Sequence, residues 1–258
     1  MKRGPGSGKA FFGAAVALVA VVVIAVVVLI AVSGGDERPA QGGPAVSVGR
    51  PADSGSSPQS YSSSPSTDAY RGIAERAKDA RPLTEAEAFP ESDRTLTVKE
   101  AGVRLKLVGS RLDADCAQAV WGSAVADELR RGGCSQAVRG MYADTKKGYA
   151  LSVTILNLNT SADADRFVAA LGQVRGGGFV RPLTDVPGGV TAGPAPDELA
   201  RFGQGFGAAR GLAMGHYAVI AWAQRLDGTG DPTDEALLAL LIEGGKAPAV
   251  LGRAAAAL

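Results

Sequence analysis

The sequence predicts an α+β domain in which a mainly antiparallel sheet carries helices on one face, and three observations support this class. Apolar and basic residues alternate over residues 103–108, which is the period of a strand with one buried face. Leu237, Leu238, Leu241 and Ile242 fall on one stripe of a predicted helix. The predicted elements follow in the order β-α-β-β-α-β-β-α, which favours a ferredoxin-like β-α-β-β-α-β core with additions.

The 258-residue chain divides by composition into five parts. They are a cytoplasmic stub (1–9), a transmembrane helix (10–32), a disordered linker (33–66), a short helical connector (67–93) and an extracytoplasmic α+β domain (94–258). The formal net charge is +1, which provides no overall attraction to nucleic acid, so no nucleic-acid partner is expected.

Residues 10–32 are predicted to cross a membrane because they contain no charged side chain. A helix of this length measures ~35 Å, which spans a ~30 Å hydrocarbon core. Lys2, Arg3 and Lys9 precede the segment, and positively charged flanks stay in the cytoplasm. We therefore expect the lipid bilayer to be the partner of residues 10–32, with the rest of the chain outside the cell.

A cleaved signal peptide is the alternative for this segment, because residues 31–33 offer small side chains at the required spacing. The apolar run is longer than the usual 7–15 residues, which favours an anchor. Residues 33–66 are rich in Ser, Gly and Pro and have almost no large apolar residue to offset the entropy of ordering. We expect a disordered spacer there, with a binding motif as the alternative.

The connector is predicted to contain a short helix over residues 68–80, ended by Pro82, and a capping box that begins at Thr84. Strands of the domain are predicted over 96–98, 103–108, 135–143, 149–158, 179–180, 208–214 and 216–224. Helices are predicted over 113–131, after a cap at Thr160 or Ser161, after residues 231–233 and from about residue 247. The strand over 216–224 is apolar on both faces, as a central strand would be.

The two cysteines, Cys116 and Cys134, are expected to form a disulfide in an exported domain. A redox-active pair usually has C-x-x-C spacing, and a metal site needs further ligands. A straight helix over residues 116–131 would place its ends ~22 Å apart, whereas bridged Cα atoms lie within about 7 Å. The bond therefore predicts a helix break at Gly122, with Ser123 capping a second helix. In the alternative, Cys116 precedes the helix and the bond never forms.

No familiar catalytic motif is present, and the sequence assigns no catalytic, cofactor-binding or metal-binding residue. His216 is the only histidine, and its position beside Gly215 at a strand boundary favours a structural role. Asp113 and Asp115 are expected to act as helix cap and dipole partners. Three acidic residues lie in a long loop without recognisable spacing, namely Asp185, Asp197 and Glu198.

A Cys that opens a helix (Cys116), a Gly-Cys pair that ends it and a following Arg-x-x-Tyr strand lie within residues 110–142. This stretch resembles an uncharacterised family of membrane-anchored exported proteins of streptomycetes and other actinobacteria. The resemblance implies export and a disulfide, and it implies no reaction.

Together these features predict a membrane-tethered extracytoplasmic module of the cell envelope that binds, senses or interacts without catalysis. Its partner would be an envelope protein or a cell-wall component, and such a module requires an apolar patch or a ligand-sized groove. The alternative is an envelope hydrolase without a familiar motif, which requires titratable side chains that converge around His216 or the Asp197–Glu198 loop. A homo-oligomer that pairs through the sheet is a third hypothesis.

Overall fold

A computed structural model describes residues 48–99, 101–174, 176–185 and 197–257. The predicted cytoplasmic stub and transmembrane helix, residues 1–9 and 10–32, lie outside the described residues. Within the described ranges, no helix combines the length and the apolar character that a membrane crossing requires.

The described residues form nine strands. In chain order they are β1 Ser60–Ser64, β2 Thr95–Val98, β3 Val103–Asp113, β4 Val120–Trp121, β5 Gln136–Asp144, β6 Tyr149–Asn157, β7 Phe179–Val180, β8 Gly207–Met214 and β9 Tyr217–Arg225. Seven of them form one sheet in the order β1-β8-β9-β6-β5-β3-β2, and this sheet curls into a half-barrel. β1 lies parallel to β8, the other neighbours in the sheet are antiparallel, and β4 pairs with β7 separately.

The helices of the described residues are α1 Glu85–Ala88, α2 Ser123–Arg131, α3 Ser161–Gln173, α4 Glu235–Gly245 and α5 Pro248–Ala256. Thr84 and Thr160 cap α1 and α3 as predicted, because each side chain accepts a hydrogen bond from a backbone N–H in the first turn. Asp234 caps α4, whereas the start of this helix was predicted at residues 231–233.

The sheet has a hydrophobic core on each face. α2 and α3 pack on one face through Leu129 and Phe167, whereas α4 and α5 pack on the other through Leu240 and Val250. This arrangement follows from β6 and β9, whose residues are buried nearly throughout, because a strand that is apolar on both sides needs cover on both sides. The prediction of a central strand over residues 216–224 is therefore confirmed.

The ferredoxin-like prediction is wrong. The sheet has seven strands in a mixed order, and helices cover both of its faces instead of one. The predicted element order gave no information about strand neighbours. The short strand predicted at residues 179–180 is present as β7, and it pairs with β4 in a separate two-stranded sheet.

The prediction that residues 33–66 are disordered is wrong for their last part, because β1 lies within them as an edge strand beside β8. Tyr61 provides the anchor that the rest of this Ser-rich run lacks. Its hydroxyl donates a 2.6 Å hydrogen bond to the carbonyl of Val168, and its ring meets Phe179 edge to face at 5.7 Å. Main-chain pairing with β8 and one half-buried aromatic ring together offset the ordering entropy of this segment.

Candidate ligand-binding groove

A groove of about 240 Å³ opens on the face of the sheet that α4 and α5 cover. Its floor is formed by β5 and β6, and its walls by the α1–β2 connection and the α4–α5 junction. Its apolar lining consists of Ala88, Phe89, Leu96, Tyr142, Val153, Ile155, Gly244, Ala247 and Pro248. An apolar cavity of about 150 Å³ accepts benzene, so the groove has room for a substituted ring.

The capped helix α1 places one aromatic wall of the groove. Phe89 is the C-cap of this short helix, and its ring crosses β5 directly over Gly140. A Cβ atom built on Gly140 would lie 2.5 Å from Cζ of Phe89, so no larger residue fits without displacing the ring. Phe89 meets Tyr142 edge to face, with ring centroids 6.1 Å apart. These two rings line one part of the groove as a packed pair.

Polar groups at the groove come from Asp93, Tyr142, Glu243 and Lys246. Asp93 lies in the turn Glu91–Asp93, and its Oδ2 atom is buried without a hydrogen-bond partner among the described residues. Burial raises the pKa of the Tyr142 hydroxyl, and the negative charge of Asp93 raises it further, so the hydroxyl stays protonated. The groove thus combines apolar walls with a few polar groups, which is the usual composition of a small-molecule site.

His216 and its surroundings test the hydrolase hypothesis. His216 lies in the turn between β8 and β9, is 0% exposed, and its Nε2 atom lies 3.2 Å from Oδ2 of Asp79. The Tyr217 hydroxyl donates to the same carboxylate oxygen at 2.8 Å. Burial lowers the pKa of His216, and Asp79 opposes this effect only in part. Titratable groups do converge here, but substrate cannot reach a fully enclosed imidazole.

Arg253 of α5 completes this buried network and ties the connector to the domain. Its Nη1 atom donates to Asp79 at 3.0 Å and to the Tyr217 hydroxyl at 2.8 Å. Its Nε and Nη2 atoms form a bidentate pair with Glu87, both at 2.8 Å, and Nη2 also reaches the carbonyl of Pro82. Its partners lie within residues 79–87 and on β9, so the network holds residues 79–87 against α5 and β9. Its geometry is that of a structural clamp.

Asp113 and Asp115 have different roles from those predicted. Asp115 does cap a short turn, because it accepts from the backbone N–H of Ala117. Asp113 instead ends β3 and pairs with Arg139, which is 0% exposed, through Nη2 at 2.6 Å and Nε at 2.9 Å. The prediction that Asp113 caps a helix is therefore wrong, because the chain is still extended at this residue.

The disulfide between Cys116 and Cys134 is present, with Cα atoms 6.2 Å apart. The predicted break of the helix is confirmed as well. Residues Cys116–Ala119 form a 3₁₀ turn, β4 follows, and α2 begins only at Ser123. Gly122, at φ 85°, takes the N-cap position that was assigned to Ser123, because its backbone adopts a conformation that disfavours side chains.

The acidic loop residues Asp185, Asp197 and Glu198 have side chains outside the described part of the chain. Within the described part, no group of three or more His, Cys, Asp or Glu side chains is arranged to hold a metal ion.

The groove is the feature that sequence reasoning missed. Its residues come from the connector, from two adjacent strands and from a helix junction, and they share no motif. The available signal was a Gly in the middle of a buried strand, since such a residue often marks a close approach of another group. Comparisons with protein-family models, with curated proteins and with solved structures find no match for this chain.

Proposed function

We propose that this chain is a membrane-tethered extracytoplasmic module that binds a small ligand in the groove and performs no catalysis. The groove carries the proposal, because it is large enough for a ring-sized molecule and is formed by packed, buried walls. The tether rests on the apolar residues 10–32 and the basic residues before them. The disulfide supports an oxidising location outside the cytoplasm.

The envelope hydrolase has no comparable support. Its required convergence of titratable groups exists around His216, but each group there is held by its neighbours inside the protein. An envelope protein, a cell-wall component or a second copy of the chain stay as proposed partners of the tethered domain. Each of them can coexist with a ligand in the groove.

A pair of matched variants tests whether the groove binds. Leu96 lies on edge strand β2, lines the groove and is partly exposed, so Leu96→Trp fills the mouth without entering the core. Thr97→Trp adds the same ring to the exposed opposite face of β2. The full-length chain and both variants are reconstituted in lipid nanodiscs. Thermal unfolding is then followed with 2-phenylethanol and its amine analogue, which are apolar probes of about the right size.

We expect both probes to raise the unfolding temperature of the wild type and of Thr97→Trp, but not that of Leu96→Trp. A ligand at ten times its Kd stabilises by about 1.4 kcal/mol, which corresponds to roughly 3–6 °C for a domain of this size. Equal shifts in the two variants, or no shift in any of the three proteins, would show that the groove is not a binding site.

A further inference from the structure

One carboxylate oxygen at the groove is buried and unsatisfied. Asp93 accepts a 3.0 Å hydrogen bond from Ser92 through Oδ1, whereas its Oδ2 atom has no partner among the described residues. A buried oxygen of a charged group that lacks a donor is energetically unfavourable. Oδ2 itself is out of a ligand's reach, but the negative charge of the carboxylate acts on the groove that Asp93 lines.

Cations of the protein near this point are already paired. Lys246 lines the groove, but its Nζ atom donates to both carboxylate oxygens of Glu243, at 2.7 and 2.8 Å. Arg94 follows Asp93 in the chain, and its Nε atom bonds to Glu91 at 2.8 Å. The negative charge of Asp93 therefore has no direct counter-ion among the described side chains.

The aromatic pair complements a positive charge as well. Phe89 and Tyr142 line the groove together with Asp93, and ring faces attract ammonium groups. Tyr142 lines the groove, and its hydroxyl oxygen can accept a hydrogen bond. An ammonium group has three donors. The Asp93 carboxylate supplies a negative charge and the Tyr142 hydroxyl an acceptor, and the walls provided by Leu96, Val153 and Ile155 accommodate an apolar body.

We propose that the groove binds a small organic cation, namely an ammonium group on an apolar body of about one ring. This inference rests on the binding function proposed above and adds the chemical class of the ligand. An anionic ligand is disfavoured because its charge would face the Asp93 carboxylate. A neutral ligand of the same shape would fill the walls but leave Asp93 without a counter-ion.

Three probes of one shape separate these classes. They are phenethylammonium, 2-phenylethanol and 3-phenylpropanoate. Isothermal titration calorimetry is performed on the full-length chain in nanodiscs, with the signal of empty nanodiscs subtracted. Asp93→Asn removes the charge and keeps an oxygen for the hydrogen bond from Ser92. Asp68→Asn is the matched control, because it makes the same substitution at an exposed residue that does not line the groove.

We expect the ammonium probe to bind the wild type at least about tenfold more tightly than the alcohol, and the carboxylate to bind most weakly. In Asp93→Asn the Kd of the ammonium probe should rise by about tenfold or more, while that of the alcohol changes by less than about twofold. In Asp68→Asn both values should stay within about twofold of wild type.

Two failures are distinguishable. If the ammonium probe and the alcohol bind equally, and Asp93→Asn changes neither, the ligand class is wrong while the groove remains a binding site. If neither probe binds the wild type, or if both bind Leu96→Trp as well as the wild type, the proposed binding function itself is wrong.

Discussion

Gly140 is the residue at which the shape of the groove is decided, because the ring of Phe89 crosses β5 where Gly140 has no side chain. Phe89 in turn positions the ring of Tyr142, and both rings line the groove. The absence of one methyl group thus fixes two walls of the candidate site. A glycine inside a buried strand is otherwise unfavourable, so its presence here is explained by this contact.

Gly140→Ala should destabilise the protein by about 1–3 kcal/mol, because the added methyl group forces the Phe89 ring to move within a packed core. Chemical unfolding of the full-length chain measures this change. Gly252→Ala is the control: Gly252 lies in α5 with open space around it, so this substitution should stabilise by up to about 1 kcal/mol. Destabilisation of similar size in both variants would show that the close contact at Gly140 is not the cause.

His216 should make the stability of the protein sensitive to pH. Its ordinary pKa is 6.5, and burial lowers this pKa in the folded protein. Asp79, which faces the imidazole, acts to raise the pKa, whereas the nearby charge of Arg76 lowers it. The ring of Tyr217 also lies beside the imidazole. The unfolded chain then binds a proton more readily than the folded one, so stability is full above pH 6.5 and falls as the pH decreases below it. Burial opposes ionisation of Asp79 too, but hydrogen bonds from Tyr217, His216 and Arg253 hold its pKa below the ordinary 3.8. Its contribution is therefore lost only below about pH 4.

We expect the unfolding temperature to fall between pH 7.5 and pH 5, and His216→Gln to flatten this dependence because the amide does not titrate. Glutamine also keeps a donor that can reach Asp79. Thermal unfolding at a series of pH values provides the measurement. If the wild type and the variant lose stability in parallel over this range, another group is responsible.

At the scale of elements, the connector (residues 67–93) packs as part of the domain and is not a separate linker. Its turns place Asp79 and Glu87 around Arg253, and α1 provides a wall of the groove. The clamp and the groove therefore share one segment, since Glu87 lies two residues before Phe89. Loss of the clamp should be transmitted to the groove through α1.

Arg253→Met should destabilise the protein by about 3 kcal/mol, because it leaves the carboxylates of Asp79 and Glu87 without their buried cation. Chemical unfolding measures the change, and limited proteolysis should show faster cleavage within residues 67–93. Arg81→Met provides the matched control, since Arg81 also pairs with Glu87 but is exposed, and should cost less than about 0.5 kcal/mol. If Arg81→Met and Arg253→Met lowered the free energy of unfolding equally, the lost pairing of Glu87, which both variants share, would account for the whole effect.

The sequence was sufficient for the type of most elements and insufficient for their neighbours. Alternation identified β3, and the two-sided apolar pattern identified β9 as central, because both signals are local. Strand order depends on which surfaces pack together, and no local pattern records it. β1 was missed because its stability comes from pairing with β8 and from Tyr61, both of which act across more than one hundred residues of chain.

At the scale of the whole molecule, the disulfide connects the end of β3 to the start of β5 across the broken helix. The constraint requires a turn, a short strand and a helix to fit between residues 116 and 134. Its geometric consequence could be derived from the sequence, because the reach of a helix and of a disulfide are both fixed. The groove could not be derived from the sequence, because its lining comes from four separate parts of the chain.

Replacing both Cys116 and Cys134 by alanine should lower the free energy of unfolding by about 3 kcal/mol on the loop-entropy account. The unfolding temperature should then fall by roughly 6–12 °C. Chemical unfolding of the full-length chain, with the oxidised wild type as reference, measures the loss. Wild type under reducing conditions should match the double variant. A double variant as stable as the oxidised wild type would contradict a stabilising role of the bond.

The most direct test of the account is a crystal structure of the protein with phenethylammonium. We expect the ring between the apolar walls of the groove and the ammonium nitrogen within about 4 Å of the Asp93 carboxylate, beside the rings of Phe89 and Tyr142. An empty groove at saturating amine, or an amine bound with its nitrogen directed away from Asp93, would contradict the proposed site and its ligand class.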